Sequence, residues 1–451
     1  MTTADSSRFH VTHARVLAIA VPMTLANATT PLLGLVGTGA IGQLGQAHLL
    51  GAVAISAVVF DCIFWLFGFL RMGTVALTAQ AVGAGDEAEQ RAVLARALVL
   101  SALIGLALVA LQWPVGWAAY RLMGASDAVT DAAELYFSVR IWSAPFTLAN
   151  YVVLGWLVGQ ARTGLALALQ IAMNVVSVAA VLVLVLWLDF GVRGVAFSAV
   201  IAETAGLGAG LAVARRVGGS ASLPWTTVFD RARLGRMLAV NRDIMIRTAA
   251  LIGAFLFFNA QSARAGDTIL AANAVLNNFV LVSAFFLDGF ATASEQLCGR
   301  AVGARDGTAF RTSVMLSLGW GFAVACVIAV SCLGAGTGLI ALMTTSPEVR
   351  RVAGEFLIFA AFAPLAGVGA YIFDGVYVGA TWTRDIRNLM LAALAIYFAT
   401  WWLTRGLGNA GLWLAILAFL AARGVLQALR YPALTRASFA SPSRVTRVAA
   451  A

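Results

Sequence analysis

Six carboxylates stand within or beside long apolar stretches of this 451-residue chain: Asp61, Glu203, Asp288, Glu295, Glu355 and Asp374. A charge at bilayer depth is expensive, so an acid there is a functional candidate by default. Desolvation favours the protonated form of a carboxyl, and a carboxyl that exchanges a proton or a small cation near neutral pH is what gradient coupling requires. Asp288 and Glu295 are two helical turns apart and share one helix face. Asp374 lies next to Gly375, and Asp61 has no acidic neighbour in sequence. Glu203 and Glu355 fall toward span ends, where solvation suffices. The other reading of these acids is a hydrogen-bond network that holds helices together.

Pro22, Pro145 and Pro364 interrupt apolar spans. Each removes a backbone donor and permits a bend, either a fixed kink or a hinge. Asn27, Asn150, Asn174, Asn273 and Asn277, with Asn259, Gln261 and Asn278, line a cavity or join helices. GTGAIG at 37–42, with Asp61 downstream, fits a dinucleotide fingerprint in form, but apolar runs on both sides exclude the βαβ unit it needs. All 30 basic residues are Arg, so a P-loop with its Lys is impossible. His10, His13 and His48 sit near the N-terminus, and Cys62, Cys298, Cys326 and Cys332 are isolated in apolar segments. No metal site, cofactor or enzyme is expected. The net charge of +10 is not read as a nucleic-acid signal, because the arginines fall in loops between spans.

What must position these acids is a bundle of membrane helices. Hydrophobic residues make up 61% and charged residues 11% of the chain, against about 45–50% and 25% in soluble domains. Twelve stretches approach the roughly 20 apolar residues a spanning helix needs: 14–37, 50–70, 92–113, 134–156, 165–188, 193–214, 236–258, 269–293, 311–334, 353–379, 387–404 and 411–430. Strict alternation is absent, which excludes an outer-membrane barrel. With a cytoplasmic N-terminus most arginines face inward, among them Arg8, Arg96, Arg423, Arg444 and Arg447; only Arg121, Arg193, Arg264, Arg350, Arg351 and Arg405 face outward. Short-loop arginine bias therefore puts both termini in the cytoplasm of a multi-pass inner-membrane protein.

The chain is also duplicated. AVGAGD at 81–86 matches AVGARD at 301–306, LGWLVGQART at 154–163 matches DGVYVGATWT at 374–383, RVLAIA at 15–20 matches RMLAVN at 236–241, and FGVRG at 190–194 matches LGNAG at 407–411. Pro145 and Pro364 match within one residue. Six spans per half make the repeat parallel, as in duplicated secondary transporters. The expected architecture is all-α: twelve transmembrane helices in two six-helix lobes, an N-lobe at 1–214, a cytoplasmic linker at 215–235 broken by Pro224, a C-lobe at 236–430 and a cytoplasmic tail at 431–451.

FLRMGTVALTAQAVGAGD at 69–86, VNRDIMIRT at 240–248, LAANAVLNNFVLVSAFFLDGFATASEQLCGRAVGARD at 270–306 and FDGVYVGATWTRDIRN at 373–388 together resemble the multidrug and toxic compound extrusion (MATE) family, in particular its DinF-like branch. The resemblance runs from Pro22 to about Tyr431. It implies two six-helix lobes in a V around a central cavity, and antiport of H⁺ or Na⁺ against organic cations or other toxic compounds. Asp288, Glu295 and Asp374 match the family's C-lobe pattern. Its N-lobe acids do not carry over: Gly37 replaces the Asp of the first span, Val181 the acid of the fifth, and Ser177 an intermediate Asn. Asp61 is then a candidate replacement. The expected partners are a small organic cation, H⁺ or Na⁺ and the lipid bilayer, with a monomer as the working form. The alternatives are a coupling-deficient paralogue or receptor, and a lipid-precursor flippase.

Overall fold

Hydrocarbon cannot satisfy backbone N–H and C=O groups, so a segment at bilayer depth must bond within itself, and long apolar stretches become helices. The computed structural model describes residues 10–43, 46–123, 126–219 and 224–440, and no strand occurs among them. Arg8, Arg444, Arg447 and the tail beyond residue 440 lie outside the described residues. In chain order the helices are α1 (His13–Gly42), α2 (Ala47–Leu66), α3 (Phe69–Gly83), α4 (Glu87–Ala110), α5 (Gln112–Met123), α6 (Asp127–Arg140), α7 (Ala144–Gly159), α8 (Thr163–Val181), α9 (Gly191–Gly218), α10 (Trp225–Val228), α11 (Arg231–Arg264), α12 (Asp267–Gly303), α13 (Gly307–Met343), α14 (Pro347–Gly379), α15 (Thr383–Thr404) and α16 (Asn409–Phe439). A 3₁₀ turn at Ile141–Ser143 joins α6 to α7, and a π-helical stretch at Leu182–Trp187 extends α8.

Among the described residues eleven helical segments are long and apolar enough to cross a membrane, with α2–α3 and α6–α7 each counted as one. The first expected span lies within α1, which is helical over 30 residues. The segments match the expected spans but run longer, because a helix continues past the hydrocarbon as long as its backbone bonds hold. The last is the clearest case: α16 continues through Pro432 to Phe439, so the first part of the expected tail is helical.

The duplication reappears as backbone geometry. Asp86 accepts from the Glu89 N–H at 2.9 Å, and Asp306 accepts from Thr308 and Ala309 at 3.0 and 2.9 Å, each capping the helix that follows. The turn before each cap holds a left-handed residue, Gly85 at φ 70° and Arg305 at φ 55°. Ala161 (φ 60°) and Thr381 (φ 55°) repeat the pattern after α7 and α14. The strained backbone there is held by paired bonds: Ala161 and Arg162 donate to Val158 and Leu157 at 2.8 and 2.9 Å, while Thr381 and Trp382 donate to Val378 and Tyr377 at 2.8 Å.

Packing repeats as well. Gly155 and Gly159 let α7 lie against α3, where an added Cβ would stand 2.6 Å from the Arg71 carbonyl and 2.9 Å from that of Val75. Gly375 and Gly379 do the same for α14 on α12, against the carbonyls of Ala291 and Glu295. Both pairs are G-x-x-x-G spacings, the pattern that brings membrane helices into backbone contact. Gly83 and Gly303 complete the set reciprocally: a Cβ on Gly83 would overlap the Arg300 carbonyl, and one on Gly303 the Gln80 carbonyl.

The chain divides into two compact units, one of Met1–Thr24, Ala79–Gly85 and Ile246–Ala451, the other of Leu25–Thr78 and Asp86–Met245. In the first, Asn273 ties three helices together. Its side chain donates to Ser262 at 2.8 Å and Asn409 at 2.7 Å and accepts from Trp413 at 2.9 Å. Gln80 reaches the end of α14, donating to the Gly379 carbonyl at 2.8 Å. In the second unit, Arg96 makes a bidentate pair with Glu89 at 2.7 and 2.9 Å and donates to the Val228 carbonyl at 2.9 Å, while Arg233 also bonds Glu89. This clasp fastens the linker, in which Pro224 directly precedes α10. Arg96 is therefore a buried structural group, not a loop charge. Exposed Trp117 and Trp402 are covered by the guanidinium groups of Arg121 and Arg405 at 5.0 and 5.3 Å, as expected of interfacial aromatics.

Substitution Gly379→Ala places a methyl group into backbone that cannot yield and is expected to cost about 3 kcal/mol, the upper end of overpacking. Gly338→Ala, with open space at its Cβ, is expected to be neutral or stabilising by up to about 1 kcal/mol. Thermal melting of the two variants in detergent separates them.

Candidate functional site

Three helices of the first unit meet at Asp374. One carboxylate oxygen, Oδ2, accepts from Arg247 Nη1 on α11 at 2.5 Å and from Arg423 Nη2 on α16 at 2.6 Å. The other, Oδ1, accepts from Gln427 Nε2 at 2.7 Å. Asp374, Arg247, Arg423 and Gln427 are all buried, the most exposed at 7%. Tyr377 donates its hydroxyl to the Gln427 carbonyl at 2.7 Å, and the Arg423 guanidinium stacks 5.5 Å from the Phe419 ring. The sequence explains the convergence: Arg423 and Gln427 are one turn apart on α16, and Gly375 lets α14 approach α12 closely beside Asp374. Two guanidiniums sharing one carboxylate leave a local excess of positive charge. A cation arriving at Asp374 meets two guanidiniums already on Oδ2 and an amide on Oδ1.

Asp288 lies near the middle of α12 and is half-buried; Glu295, two turns on, is buried at 4%. Tyr371 on α14 feels the charges of Asp288, Asp374 and Arg423, so the two aspartates border one phenol. Asp288 and Glu295 thus lie on α12 two turns apart, and Asp288 and Asp374 act on the same tyrosine of α14.

The second unit has its own polar centre. Glu203 sits near the middle of α9, not toward an end: the helix begins at Gly191 and runs to Gly218. Asn150, 1% exposed, donates its amide to Glu203 Oε2 at 2.7 Å and to the Glu203 carbonyl at 2.8 Å. Asp61 is on the exposed face of α2. Arg140, at the end of α6, acts electrostatically on both Asp61 and Glu203 and lies 5.7 Å from the rings of Phe60 and Phe64. Gly37 faces Val195, with 3.4 Å between an added Cβ and that side chain, and Val181 is buried.

The remaining candidates divide. Asn273 joins helices, as described above. Asn174 accepts from Gln170 at 3.2 Å and donates to Thr29 at 2.7 Å, linking α8 to α1. Asn277 donates to Asn259 at 3.4 Å. Asn27 is half-buried on α1, as is Pro22. Pro364 is buried inside an uninterrupted α14, whereas Pro145 opens α7 after the 3₁₀ turn and packs against Gly105 of α4. Glu355 pairs with Arg351 at 2.5 Å, one turn away on the exposed surface of α14.

Sequence reasoning missed the arginine partners. Arg423 was placed on the cytoplasmic side, yet it is 3% exposed inside α16, because the apolar pattern around it gives no sign of a carboxylate 49 positions away. The usable signal was an arginine inside an apolar span, as at Arg140 and Arg247. Removing one member of a buried ion cluster leaves the other charges uncompensated, at a cost of about 3–5 kcal/mol. Asp374→Asn is therefore expected to lower the melting temperature sharply, and adding Arg423→Met to it to recover part of the loss.

The MatE family model matches residues 22–185 and 244–403, once in each half. The chain is 36% identical to DNA damage-inducible protein F of Escherichia coli over 94% of this chain and 91% of that protein. It is 30% identical to the probable multidrug resistance protein NorM of Caulobacter vibrioides over 92% and 90% of the two chains. The fold matches the bent form of the Vibrio cholerae MATE transporter VcmN with a TM-score of 0.85 at 20% identity, over 94% of this chain and 97% of that one. A MATE family transporter in an outward-facing conformation matches with a TM-score of 0.82 at 18% identity, over 95% and 97%. An all-α, multi-pass membrane chain with an internal duplication and these relatives belongs to the MATE family of transporters.

Proposed function

We propose that the protein is a cation-coupled secondary antiporter. It exports organic cations or other toxic compounds by alternating access, as a monomer in the inner membrane with both termini in the cytoplasm. The observation that carries this reading is the placement of Asp288 near the middle of α12, bordering Tyr371 beside the Asp374 cluster. Binding of H⁺ or Na⁺ at Asp288, supported by Glu295, changes the charge balance around two buried arginines. Asp374 takes part by exchanging partners: when a cation reaches it, a guanidinium is released to another acceptor. Coupling follows if ion and substrate have different affinities for the two conformations. Bending at Pro364, where α14 lacks one backbone donor, and at the 3₁₀ turn before Pro145 supplies the motion, with Pro22 giving α1 the same freedom. Asp61 is a further coupling candidate in the N-terminal half.

The test is efflux of a fluorescent organic cation from proteoliposomes under an imposed proton gradient, then under a sodium gradient. Transport with one of them is expected, and Asp288→Asn is expected to reduce it to background while the protein stays folded. Wild-type efflux in that variant would remove Asp288 from the mechanism. Absence of transport under both gradients, in folded protein, would overturn the antiporter reading.

A further inference from the structure

Glu203 is held in a way that a helix-joining hydrogen bond does not require. At 1.5 Å per residue, it lies about 18 Å along α9 from Gly191. Asp61 and Arg140 lie about 20 Å along their own segments from His48 and Asp127. These three helix starts follow loops on the same side of the chain's path, so the three ionisable groups share one depth. A carboxylate there is expensive, whereas a neutral amide would join α7 to α9 equally well.

The surroundings of the carboxyl suit two protonation states. Asn150 Nδ2 faces two acceptors, the Glu203 carbonyl and Oε2, so the orientation of its amide is fixed. Its own oxygen, Oδ1, is buried without a hydrogen-bond partner. Thr147, one turn earlier on α7 and 4% exposed, faces the same carboxyl. Its buried hydroxyl is out of line for a well-formed hydrogen bond but close enough to act on the Glu203 carboxyl as a donor. A hydroxyl can donate to a carboxylate or, after rotation, accept from a carboxylic acid. Asn150 can hold Oε2 throughout while Oε1 gains or loses the proton, with no backbone movement.

We propose that Glu203, with Asn150 and Thr147, is a proton-binding site of the N-terminal half, taking up and releasing one proton at Oε1 in each transport cycle. This rests on the antiporter reading for its role in coupling, but the proton site stands or falls by itself. The titratable and charged groups around it are Arg140 and Tyr136 on α6, Tyr151 on α7, Asp61 and Cys62 on α2, and Arg71 on α3 through Tyr151. Over Thr163–Val181, α8 contributes none. The Arg140 charge acts on both carboxylates and makes Asp61 the compensating partner when Glu203 is neutral.

The experiment uses the full chain in lipid nanodiscs. Infrared difference spectra between acid and alkaline pH are expected to show a carboxylic-acid carbonyl band that is missing in Glu203→Gln and shifted in frequency in Glu203→Asp. In proteoliposomes, Glu203→Gln is expected to lose at least tenfold of proton-driven efflux while retaining substrate binding, with partial recovery in Glu203→Asp. An unchanged spectrum in Glu203→Gln, a band that responds to Na⁺ and not to pH, or wild-type proton-driven efflux in Glu203→Gln would each overturn the proposal. If wild-type protein moves no cation yet the band disappears in Glu203→Gln, the antiporter reading fails and the proton site is upheld. Should Glu203→Gln not fold, Thr147→Val is expected to move the pH midpoint of the band, and an unmoved midpoint would count against the site.

Discussion

Hydrocarbon offers no hydrogen bonds, and every polar feature of this protein answers to that constraint. Backbone groups are satisfied inside helices, and the helices meet where glycine removes the side chain between them. Several polar side chains at depth find partners on other helices. Asn273 gathers Ser262, Asn409 and Trp413; Asn150 holds Glu203; Asp374 neutralises part of the charge on Arg247 and Arg423. Lipid-facing surface is left to Leu, Val, Phe and Trp, many of them largely exposed. The structure is a set of polar knots inside an apolar scaffold.

How much of this was legible in the sequence depends on the range of the interaction. Spans are written in contiguous residues, so the apolar windows located the helices, and the errors lie in their lengths. The duplication was also legible, since AVGAGD and AVGARD produce the same cap and the same left-handed turn. The acids were visible as charges in apolar runs. Their partners were not: Arg247 is 127 positions from Asp374 and Arg423 is 49, and no local pattern announces a pair formed across three helices. Glu203 is a different case: it stands at the centre of the expected span 193–214 as well as of α9, so its position was legible and only its assignment to a span end was wrong. Asn273 and Pro145 could be identified as special but not sorted between cavity and scaffold, since that depends on what packs against them.

Magnitudes explain why a carrier of this kind benefits from more than one buried carboxyl. Moving a two-state equilibrium from 1:99 to 99:1 takes about 5.5 kcal/mol of differential binding. One elementary charge crossing 100 mV supplies about 2.3 kcal/mol. On the proposed coupling, a single titrating group driven by the potential alone falls short of that figure. Acids stand within apolar helices of both halves: Asp61 and Glu203 in one, Asp288, Glu295 and Asp374 in the other.

The reciprocal glycines at 83 and 303 carry a consequence for how the two copies of the ancestral repeat can diverge. At most contacts a larger residue on one side can be accommodated by a smaller one opposite. Here the obstruction to Gly83 is the Arg300 carbonyl, and the obstruction to Gly303 is the Gln80 carbonyl. A carbonyl belongs to the main chain and has no smaller substitute, so no second-site change of side chain restores the fit. The duplicated halves are free to drift apart in their charges, as Gly37 and Asp61 on one side and Asp288 and Asp374 on the other illustrate, but at this crossing neither copy has a neutral path away from glycine.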